Sequence, residues 1–278
     1  NIDAINPLDL FIKNNDIYIS GSKKIKDNCD YFVILKGEIN FKKINFEEIF
    51  KNEDCYKQIQ SGRIQKLEDE NNILVSTAAD ILLNRNQTDS KPQNDESIMG
   101  KTITINENDG TYEIFSKGHR NILGLYVEKD IILSTENGPR GGDEINLLNK
   151  NKNYGWPISS YGEKYKLFDN KTVHYKKSHE EYGFVEPIYS FVPSIGISEI
   201  IKIGNEFSNH WQDNYLVASL NSKHLYRIKF NKKFSKISFI EKIFVGERIR
   251  DLKYYSKEKL ILLALENSGS LGIIKIND

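Results

Sequence analysis

Short apolar strands recur along this chain, and each follows a turn rich in Asn, Asp or Lys. The units are Asn15-Asp16 before IYIS, Asn71-Asn72 before ILVS, Lys129-Asp130 before IILS, Asp213-Asn214 before YLVAS and Glu258-Lys259 before LILLAL. Their starts lie about 45 to 85 residues apart, and several run into polar residues. This spacing is typical of the blades of a β-propeller, in which inner strands line a central channel and polar residues gather at one mouth.

A second repeat supports the same fold. Residues 39–50 (INFKKINFEEIF) resemble residues 229–244 (KFNKKFSKISFIEKIF). Both alternate apolar and charged residues, as the half-exposed outer strands of a blade do. Ordinary hairpins of a β-sandwich stay open as the alternative, because alternation occurs in both folds.

Little of the chain has a helical pattern. Residues 45–52 and 176–182 predict short turns at most, and residues 84–96 (NRNQTDSKPQNDE) predict a long, mobile loop. No composition shift marks a domain boundary. We therefore expect one all-β domain over residues 1–278.

The charge balance argues against several classes of function. The chain has 39 acidic and 39 basic residues, dispersed rather than grouped in a basic stripe. This argues against binding to nucleic acid or to an anionic membrane. No apolar run approaches the roughly 20 residues that span a bilayer.

The two cysteines, Cys29 and Cys55, flank a hairpin-like segment whose midpoint lies near Lys42. They can therefore face each other across its open end, and we expect a disulfide there if the compartment is oxidising. Two free thiols are the alternative.

Residues 134–161 (STENGPRGGDEINLLNKNKNYGWPISSY) hold the densest functional signal. Three glycines around a proline allow close approach of the backbone, and an acidic pair follows them. Hard oxygens and kinked backbone carbonyls are the ligands that calcium prefers. A long surface loop with an acidic tip is the alternative.

The stretches GPRGGDEIN and NYGWP resemble the signature of the soluble quinoprotein sugar dehydrogenases, the glucose/sorbosone and aldose dehydrogenase family that uses pyrroloquinoline quinone (PQQ). Further stretches resemble that family in the same order, and they are SGR at residues 61–63, KGHRN at 117–121, VPS at 192–194 and GERIRD at 246–251. Together they cover nearly the whole chain.

The resemblance implies a six-bladed type of propeller. Here the similarity begins near Asn6, and the length suits five blades of about 40 to 50 residues each. We expect the first blade to lie outside this chain, or another segment to cover the exposed sheet edges.

For catalysis, the resemblance implies a histidine base four residues before the arginine of the GR motif. That position is Ile59, which cannot accept a proton. Asp80 aligns with an assisting aspartate of the family and is the remaining candidate base, or else a residue of a strand-end turn.

For the cofactor, the resemblance implies that basic and polar side chains bind PQQ, whose carboxylates suit arginine forks. The implied residues are Arg120, Asn121, Arg248, Arg250, Asn221, Lys223 and Glu266. Asn221 stands where the family has a lysine, and Lys223 is the nearby substitute. Salt bridges at blade ends are the alternative role for the arginines.

For metal, the resemblance implies two calcium ions. The carbonyls of Gly138 and Pro139 are the implied ligands of an ion beside PQQ, and Glu144 and Tyr154 those of a second, structural ion. His119 is expected to pack or hydrogen bond, and Tyr161 and Tyr165 to line the substrate mouth.

The resemblance thus predicts a PQQ- and calcium-dependent oxidoreductase that passes a hydride from an aldose sugar to the quinone and then electrons to an acceptor. Its activity is impaired if Ile59 leaves the site without a base. A non-catalytic binding propeller that keeps the calcium loop is the alternative. By resemblance, the compartment is periplasmic or secreted; the sequence leaves the oligomeric state open.

Overall fold

Nearly all of the regular secondary structure in the described residues is β-sheet. The computed structural model describes residues 5–68, 71–79, 90–164 and 174–276. In these ranges the strands form five sheets arranged as the blades of a propeller, which confirms the predicted fold class.

The blades follow one another along the chain. The first blade contains β1 (Asn6–Lys13), β2 (Asp16–Lys26), β3 (Cys29–Glu38) and β4 (Phe46–Tyr56). The second contains β5 (Ile64–Lys66), β6 (Asn72–Thr77), β7 (Lys101–Asn106), β8 (Tyr112–Lys117) and the later β12 (Lys152–Asn153). The third contains β9 (Ile122–Glu128), β10 (Ile131–Glu136), β11 (Asp143–Leu147) and β13 (Tyr189–Phe191). The fourth contains β14 (Ile197–Ile203), β15 (Asn214–Ser219), β16 (His224–Phe230) and β17 (Ile237–Phe244). The fifth contains β18 (Ile249–Tyr255), β19 (Leu260–Leu265) and β20 (Ser270–Lys275).

The repeated apolar runs of the sequence are the second strand of every blade. They lie in β2, β6, β10, β15 and β19, each paired with an inner strand on one side. In β6, β10 and β15 nearly every residue is buried. A strand that packs between neighbouring blades on both faces requires apolar residues without alternation, which explains these runs.

Neighbouring blades share hydrophobic cores. Tyr18 and Phe32 of the first blade pack with Ile73 and Ile103 of the second. Further clusters join the second blade to the third, the third to the fourth and the fourth to the fifth. Most of the buried apolar surface thus lies between sheets, so the blades stabilise one another.

The crossing of one segment between blades fixes the signature stretch. After β11 of the third blade the chain passes to the second blade, where β12 pairs in parallel with β8, and it returns to the third blade as β13. The stretch is therefore anchored to two blades rather than hanging free.

Local predictions had mixed outcomes. The disulfide between Cys29 and Cys55 is confirmed, with 4.9 Å between the two Cα atoms across the open end of the β3–β4 hairpin. The turn predicted at residues 45–52 is wrong, because the alternating residues from Phe46 onward form the outer strand β4. The short turn expected within residues 176–182 is a 3₁₀ helix at Glu180–Tyr182.

The polar segment at residues 84–96 is described only from residue 90 onward. This part is not a mobile loop: it contains a 3₁₀ helix, Lys91–Gln93, with Pro92 buried. Gln93 Nε2 donates to the Trp156 carbonyl at 2.7 Å, so the polar side chains are used as anchors for the signature stretch. Nowhere in the described ranges is a helix both long and apolar enough to cross a membrane.

Candidate active site at one mouth of the channel

The five inner strands begin at the same end of the propeller. Ser20 Oγ of the first blade donates to the carbonyl of Gly62, at the start of the second blade, at 2.5 Å. Thr135 of the third blade donates to the carbonyl of Ser198 in the fourth, and Ser198 Oγ donates to the carbonyl of Ile249 in the fifth at 2.7 Å. Short hydroxyl side chains thus tie each of these strand starts to the neighbouring blade.

Arg63 connects all five blades near this end of the channel. Its Nη1 lies 3.0 Å from Asp9 Oδ1 of the first blade, 3.2 Å from Glu199 Oε2 of the fourth and 2.8 Å from Asp251 Oδ2 of the fifth. Its Nε donates to the carbonyl of Leu123 in the third blade at 2.6 Å. We call Arg63 with Asp9, Glu199 and Asp251 the channel cluster.

The charges of the channel cluster do not balance, since one guanidinium faces three carboxyl groups. Burial raises the pKa of Glu199 to about 8, although Arg63 acts in the opposite direction. Burial also raises the pKa of Asp9. Burial alone would lower the pKa of Arg63, but the three carboxylates raise it, so the guanidinium stays charged. Because burial raises its pKa to about 8, Glu199 is mostly protonated at neutral pH.

The third blade contributes Arg120 and Asn121, directly before β9. The Arg120 guanidinium donates from Nη1 to the Asn137 carbonyl at 2.6 Å and lies 5.5 Å from the centre of the Trp156 ring. Its backbone N–H donates to Glu136 Oε1. Asn121 is buried, and its Oδ1 has no hydrogen-bond partner within the described structure. A buried amide oxygen without a donor indicates a place for a ligand.

The fifth blade contributes Arg248, Arg250 and Glu266, which we call the rim cluster. Arg248 Nε lies 3.0 Å from Glu266 Oε1, and Arg250 Nη2 pairs with Oε2 of the same carboxylate. Partial burial alone would raise the pKa of Glu266, but the two guanidinium groups lower it. All three side chains are between one third and one half exposed, and two positive charges share one negative charge.

The fourth blade places Asn221 and Lys223 in the turn between β15 and β16. The N–H of Asn221 donates to the Ile195 carbonyl at 3.0 Å, and the Lys223 carbonyl accepts from the N–H of Val245 at 3.1 Å. Strand register puts this turn at the same mouth, because the end of each second strand pairs with the start of its inner strand, as in Ile197 with Ser219.

The structure therefore brings the predicted cofactor-binding residues to one mouth, on three successive blades. The two residues considered for catalysis, Ile59 and Asp80, are not among those brought to this mouth by the described structure. Ile59 is buried in the core between the first and second blades, so an apolar residue there serves packing. Asp80 lies outside the described residues; Ala79, which precedes it in sequence, donates its N–H to the Arg120 carbonyl at 2.8 Å. Tyr165 also lies outside the described residues.

The glycine-rich part of the signature stretch forms a tight loop beside this mouth. The N–H of Gly138 donates to Asp143 Oδ1 at 2.9 Å. Asp143 Oδ2 accepts from the N–H groups of Ile195 and Ile197, at 2.9 and 3.0 Å, which fastens the loop to the fourth blade. A Cβ on Gly138 would lie only 2.4 Å from the Gly141 carbonyl oxygen, so the fold of the loop requires glycine at this position.

A small pocket lies against this loop. The residues that line it include Arg120, Glu136, Gly138, Glu144, Trp156 and His179. Two carboxylates, a guanidinium and an imidazole converge on this one pocket. The buried indole Nε1 of Trp156 has no hydrogen-bond partner in the described structure. Tyr161 lies close by, and its hydroxyl donates to Glu186 Oε2 at 2.7 Å.

His119 holds the start of β9 in place. Its ring is fully buried and stacks on Tyr154, with 4.7 Å between ring centres. Nε2 lies 2.7 Å from Ser116 Oγ, and Nδ1 lies 3.0 Å from Glu136 Oε2. Because Glu136 also accepts the backbone N–H of Arg120, this histidine supports the position of that arginine. The expectation that His119 packs and hydrogen bonds matches these contacts.

Sequence reasoning missed three residues of this region. Arg63 appears in a short motif without a role, Glu136 appears as the polar end of a strand, and His179 shows no metal-binding spacing. The partners of Arg63 come from other blades and those of His179 from before a chain crossing, whereas Glu136 contacts residues at the start of the neighbouring strand β9. The signal that was available for Glu136 was its place directly after a buried strand.

Comparison with known proteins decides the family. A family model described as Glucose / Sorbosone dehydrogenase matches residues 4–273. The chain belongs to the glucose/sorbosone dehydrogenase family. This confirms the predicted family, whose relatives with a stated activity are sugar dehydrogenases.

Two curated relatives are 30% identical to this chain. One is an uncharacterized protein of Synechocystis, matched over 195 residues that cover 64% of this chain and 46% of the relative. The other is the Escherichia coli aldose sugar dehydrogenase YliI, matched over 171 residues that cover 60% of this chain and 45% of the relative. The matched part thus spans about half the length of these relatives.

Solved structures share the propeller fold. The soluble aldose sugar dehydrogenase of Escherichia coli in its apo-form superposes with a TM-score of 0.82 at 20% identity, covering 98% of this chain and 83% of that chain. The PQQ-bound aldose sugar dehydrogenase of Streptomyces coelicolor superposes with a TM-score of 0.71 at 18% identity, covering 98% and 81%.

The residues at the mouth fit PQQ by their chemistry. The basic groups there outnumber Glu266, and Asn121 Oδ1 is buried without a donor. Gly138, Pro139 and Glu136 all line the pocket. The carbonyls of Gly138 and Pro139 are hard oxygen ligands of the type that calcium takes. Within the described ranges, no group of three or more His, Cys, Asp or Glu side chains is arranged to hold a metal.

The implied second calcium fits poorly. His179 contacts both of the implied ligands. Its Nε2 lies 3.3 Å from Glu144 Oε1, and its Nδ1 lies 3.0 Å from the Tyr154 carbonyl oxygen. The tyrosine hydroxyl is also engaged, since it donates to the Leu147 carbonyl at 2.6 Å. An imidazole ring contacts both oxygens where the ion is expected.

Proposed function

We propose that this protein binds PQQ at the mouth of the channel and oxidises a sugar hydroxyl. The observation that carries the proposal is the rim cluster, in which two guanidinium groups share one carboxylate and keep a positive charge for a ligand. Arg120 and Lys223 reach the same mouth from the third and fourth blades. A cofactor with three carboxylates suits such a surface, because an arginine fork binds a carboxylate at two points.

We assign distinct tasks to the residues around the cofactor. Arg248 and Arg250 hold carboxylates at the rim, with Glu266 orienting both forks. Arg120 is fixed by the Asn137 carbonyl and by Trp156. It presents its guanidinium from the third blade, which is separated from the rim cluster by the fourth blade. Asn121 offers its amide to the ring system, and Asn221 and Lys223 close the remaining side. PQQ, when bound, supplies a quinone that accepts two electrons and a proton as hydride.

The proton acceptor is the group for which this chain departs from the pattern of its family. Ile59 occupies the position of the usual base and is buried among apolar side chains. We propose Asp80 as the acceptor for the sugar hydroxyl proton, because it follows Ala79, whose N–H is bonded to the Arg120 carbonyl. A carboxylate is a weaker base than imidazole at neutral pH, so turnover should be slower than with a histidine, by less than the roughly 10²- to 10⁴-fold that a general base contributes in total.

We further propose that the carbonyls of Gly138 and Pro139 bind one calcium ion next to the cofactor. An ion there would act as a Lewis acid toward the quinone. The disulfide between Cys29 and Cys55 favours an oxidising compartment, which agrees with a periplasmic or secreted protein.

A reconstitution experiment tests the proposal. The purified protein is incubated with PQQ and calcium, desalted, and examined for quinone absorbance and for dye reduction with a panel of aldoses. We expect retained quinone in about equimolar amount and slow, sugar-dependent dye reduction. Asp80→Asn should keep the quinone and lose the reduction. Loss of all quinone on desalting would reject the proposal, and retained quinone without any turnover would favour a binding propeller.

A further inference from the structure

His179 lies between the two groups that are the implied ligands of the structural calcium. Its Nδ1 lies 3.0 Å from the Tyr154 carbonyl oxygen, and its Nε2 lies 3.3 Å from Glu144 Oε1. The ring is almost completely buried. Both contacts thus belong to the interior of the signature stretch and are shielded from water.

The surrounding residues fix this ring in position. Ser159 Oγ lies 3.0 Å from Nδ1, and the Tyr161 ring packs with its centre 5.3 Å away. A Cβ on Gly155 would lie 2.9 Å from Nδ1, so the backbone passes close to the ring as well. His179 also precedes the 3₁₀ helix Glu180–Tyr182, which anchors its backbone. The imidazole therefore has little freedom to swing away from the two oxygens.

An ion and this ring cannot occupy the same space. Calcium binds oxygen at about 2.3–2.6 Å, so an ion shared by the Tyr154 carbonyl and Glu144 would lie within that distance of both atoms. The His179 ring contacts both oxygens, at 3.0 and 3.3 Å, so an ion shared by them would have to displace the ring. The alternative ligand on Tyr154, its hydroxyl, is engaged with the Leu147 carbonyl.

The ring supplies the interactions that an ion would otherwise supply. A carbonyl oxygen only accepts hydrogen bonds, so Nδ1 carries a hydrogen toward Tyr154. Nε2 faces Glu144 Oε1 at 3.3 Å, which is an electrostatic contact rather than a well-formed hydrogen bond. We propose that His179 replaces the structural calcium ion of this site and cross-links Glu144 to the Tyr154 carbonyl. This inference concerns the scaffold of the signature stretch and does not depend on PQQ binding.

Calcium-dependent unfolding of the cofactor-free protein tests this proposal. The melting temperature is measured in excess calcium and in chelator for the wild-type protein, Glu144→Gln, His179→Ala and the double variant His179→Ala/Glu144→Gln. His174→Ala is the exposed histidine control on the same segment. In the wild type, calcium should raise the melting temperature by no more than about 1 °C through any site that Glu144→Gln removes. His179→Ala should melt about 5 °C lower or more in chelator and regain part of this loss in calcium. The double variant should not regain it.

Two results would overturn the proposal. One is a calcium-induced rise in the wild-type melting temperature that Glu144→Gln removes, since this would place an ion at Glu144 beside the ring. The other is a failure of calcium to stabilise His179→Ala, since the two oxygens would then not form a cation site without the ring. A wild-type rise that survives Glu144→Gln belongs to another site and supports the proposal. If His179→Ala does not fold, calorimetric calcium titration of wild type against Glu144→Gln gives the same decision.

Discussion

The channel cluster and the rim cluster both pair arginines with carboxyl groups, but the ratio of positive to negative groups is opposite in the two clusters. In the channel, one buried guanidinium, Arg63, faces three carboxyl groups from three other blades. At the rim, two partly exposed guanidinium groups face the single carboxylate of Glu266. The first arrangement has an excess of negative charge and the second an excess of positive charge.

This difference separates a structural site from a binding site. In the channel the interactions are directed inward, and the negative excess is reduced by the proton that Glu199 holds. A charge excess at a solvent-exposed mouth needs no such compensation, and it remains available to an anionic ligand. The distinction rests on burial and on the ratio of charges, since both clusters consist of arginines and carboxylates.

The largest expected effect is on the channel cluster. Arg63→Ala leaves three carboxyl groups facing one another and removes the hydrogen bond to Leu123, so the free energy of unfolding should fall by about 3–5 kcal/mol. Urea unfolding at pH 7 measures this loss. Arg248→Ala is the matched rim control and should lose less than about 1 kcal/mol, because exposed ion pairs contribute little. Equal losses in both variants would remove the distinction between the clusters.

The next largest effect concerns ligand affinity at the rim. Arg248→Ala and Arg250→Ala should each weaken PQQ binding by about 10- to 100-fold, since a charge-assisted hydrogen bond contributes roughly 1.5–3 kcal/mol. Quenching of protein fluorescence by added PQQ gives the affinity. Arg227→Ala, which removes an arginine of β16 paired with Glu241 of β17, should leave affinity unchanged. An unchanged affinity in both rim variants would mean that the positive excess does not serve this cofactor.

A smaller effect is expected on the pH dependence of stability. The pKa of Glu199 is raised by burial to about 8, above the ordinary value near 4.5, so between these values the folded protein holds a proton that the unfolded chain lacks. Its stabilising contribution is complete below about pH 4.5 and is lost as the pH rises through 8. Glu199→Gln should therefore match the wild type near pH 5 and exceed it by about 1–3 kcal/mol near pH 8.5.

Urea unfolding across this pH range, with Glu128→Gln as an exposed carboxylate control, provides the measurement. Glu128 forms a surface ion pair with Lys202 and should not change the slope. A wild-type slope that is unaltered by Glu199→Gln would show that another group carries the pH dependence.

The smallest expected effect is on stability at the rim. Glu266→Gln removes a carboxylate that is one third exposed, so the free energy of unfolding should change by less than about 0.5 kcal/mol. The same variant should alter PQQ affinity, because Glu266 orients both arginine forks. A stability loss of several kcal/mol would mean that the rim cluster is as structural as the channel cluster.

Much of the fold was predictable because local residue patterns indicate its strands. The apolar runs after turns mark the second strand of every blade, since burial on both faces excludes polar residues there. The alternating segment that ends at Phe244 marks an outer strand for the opposite reason. Residues 45–52 were misassigned because a short charged segment has no strong preference until its sheet partner is in place.

The candidate site was only partly predictable. Resemblance supplied Arg120, Arg248 and Glu266, and their strand positions bring them to one mouth. It supplied no partner for Arg63, whose carboxylates stand 54, 136 and 188 residues away in the sequence. It also implied an ion at Glu144 and Tyr154, whereas a histidine 25 residues after that tyrosine lies against both groups.

The sequence by itself determined the strand repeats, the half-buried outer strands, the cysteine pair and the glycine loop, because these depend on the preferences of neighbouring residues. Only the tertiary structure decided that Arg63 joins five blades and that His179 contacts both groups expected to bind an ion. Such contacts form where separate sheets meet around the channel or where the chain crosses between blades. Their geometry depends on the packing of whole blades, which no short stretch of residues specifies.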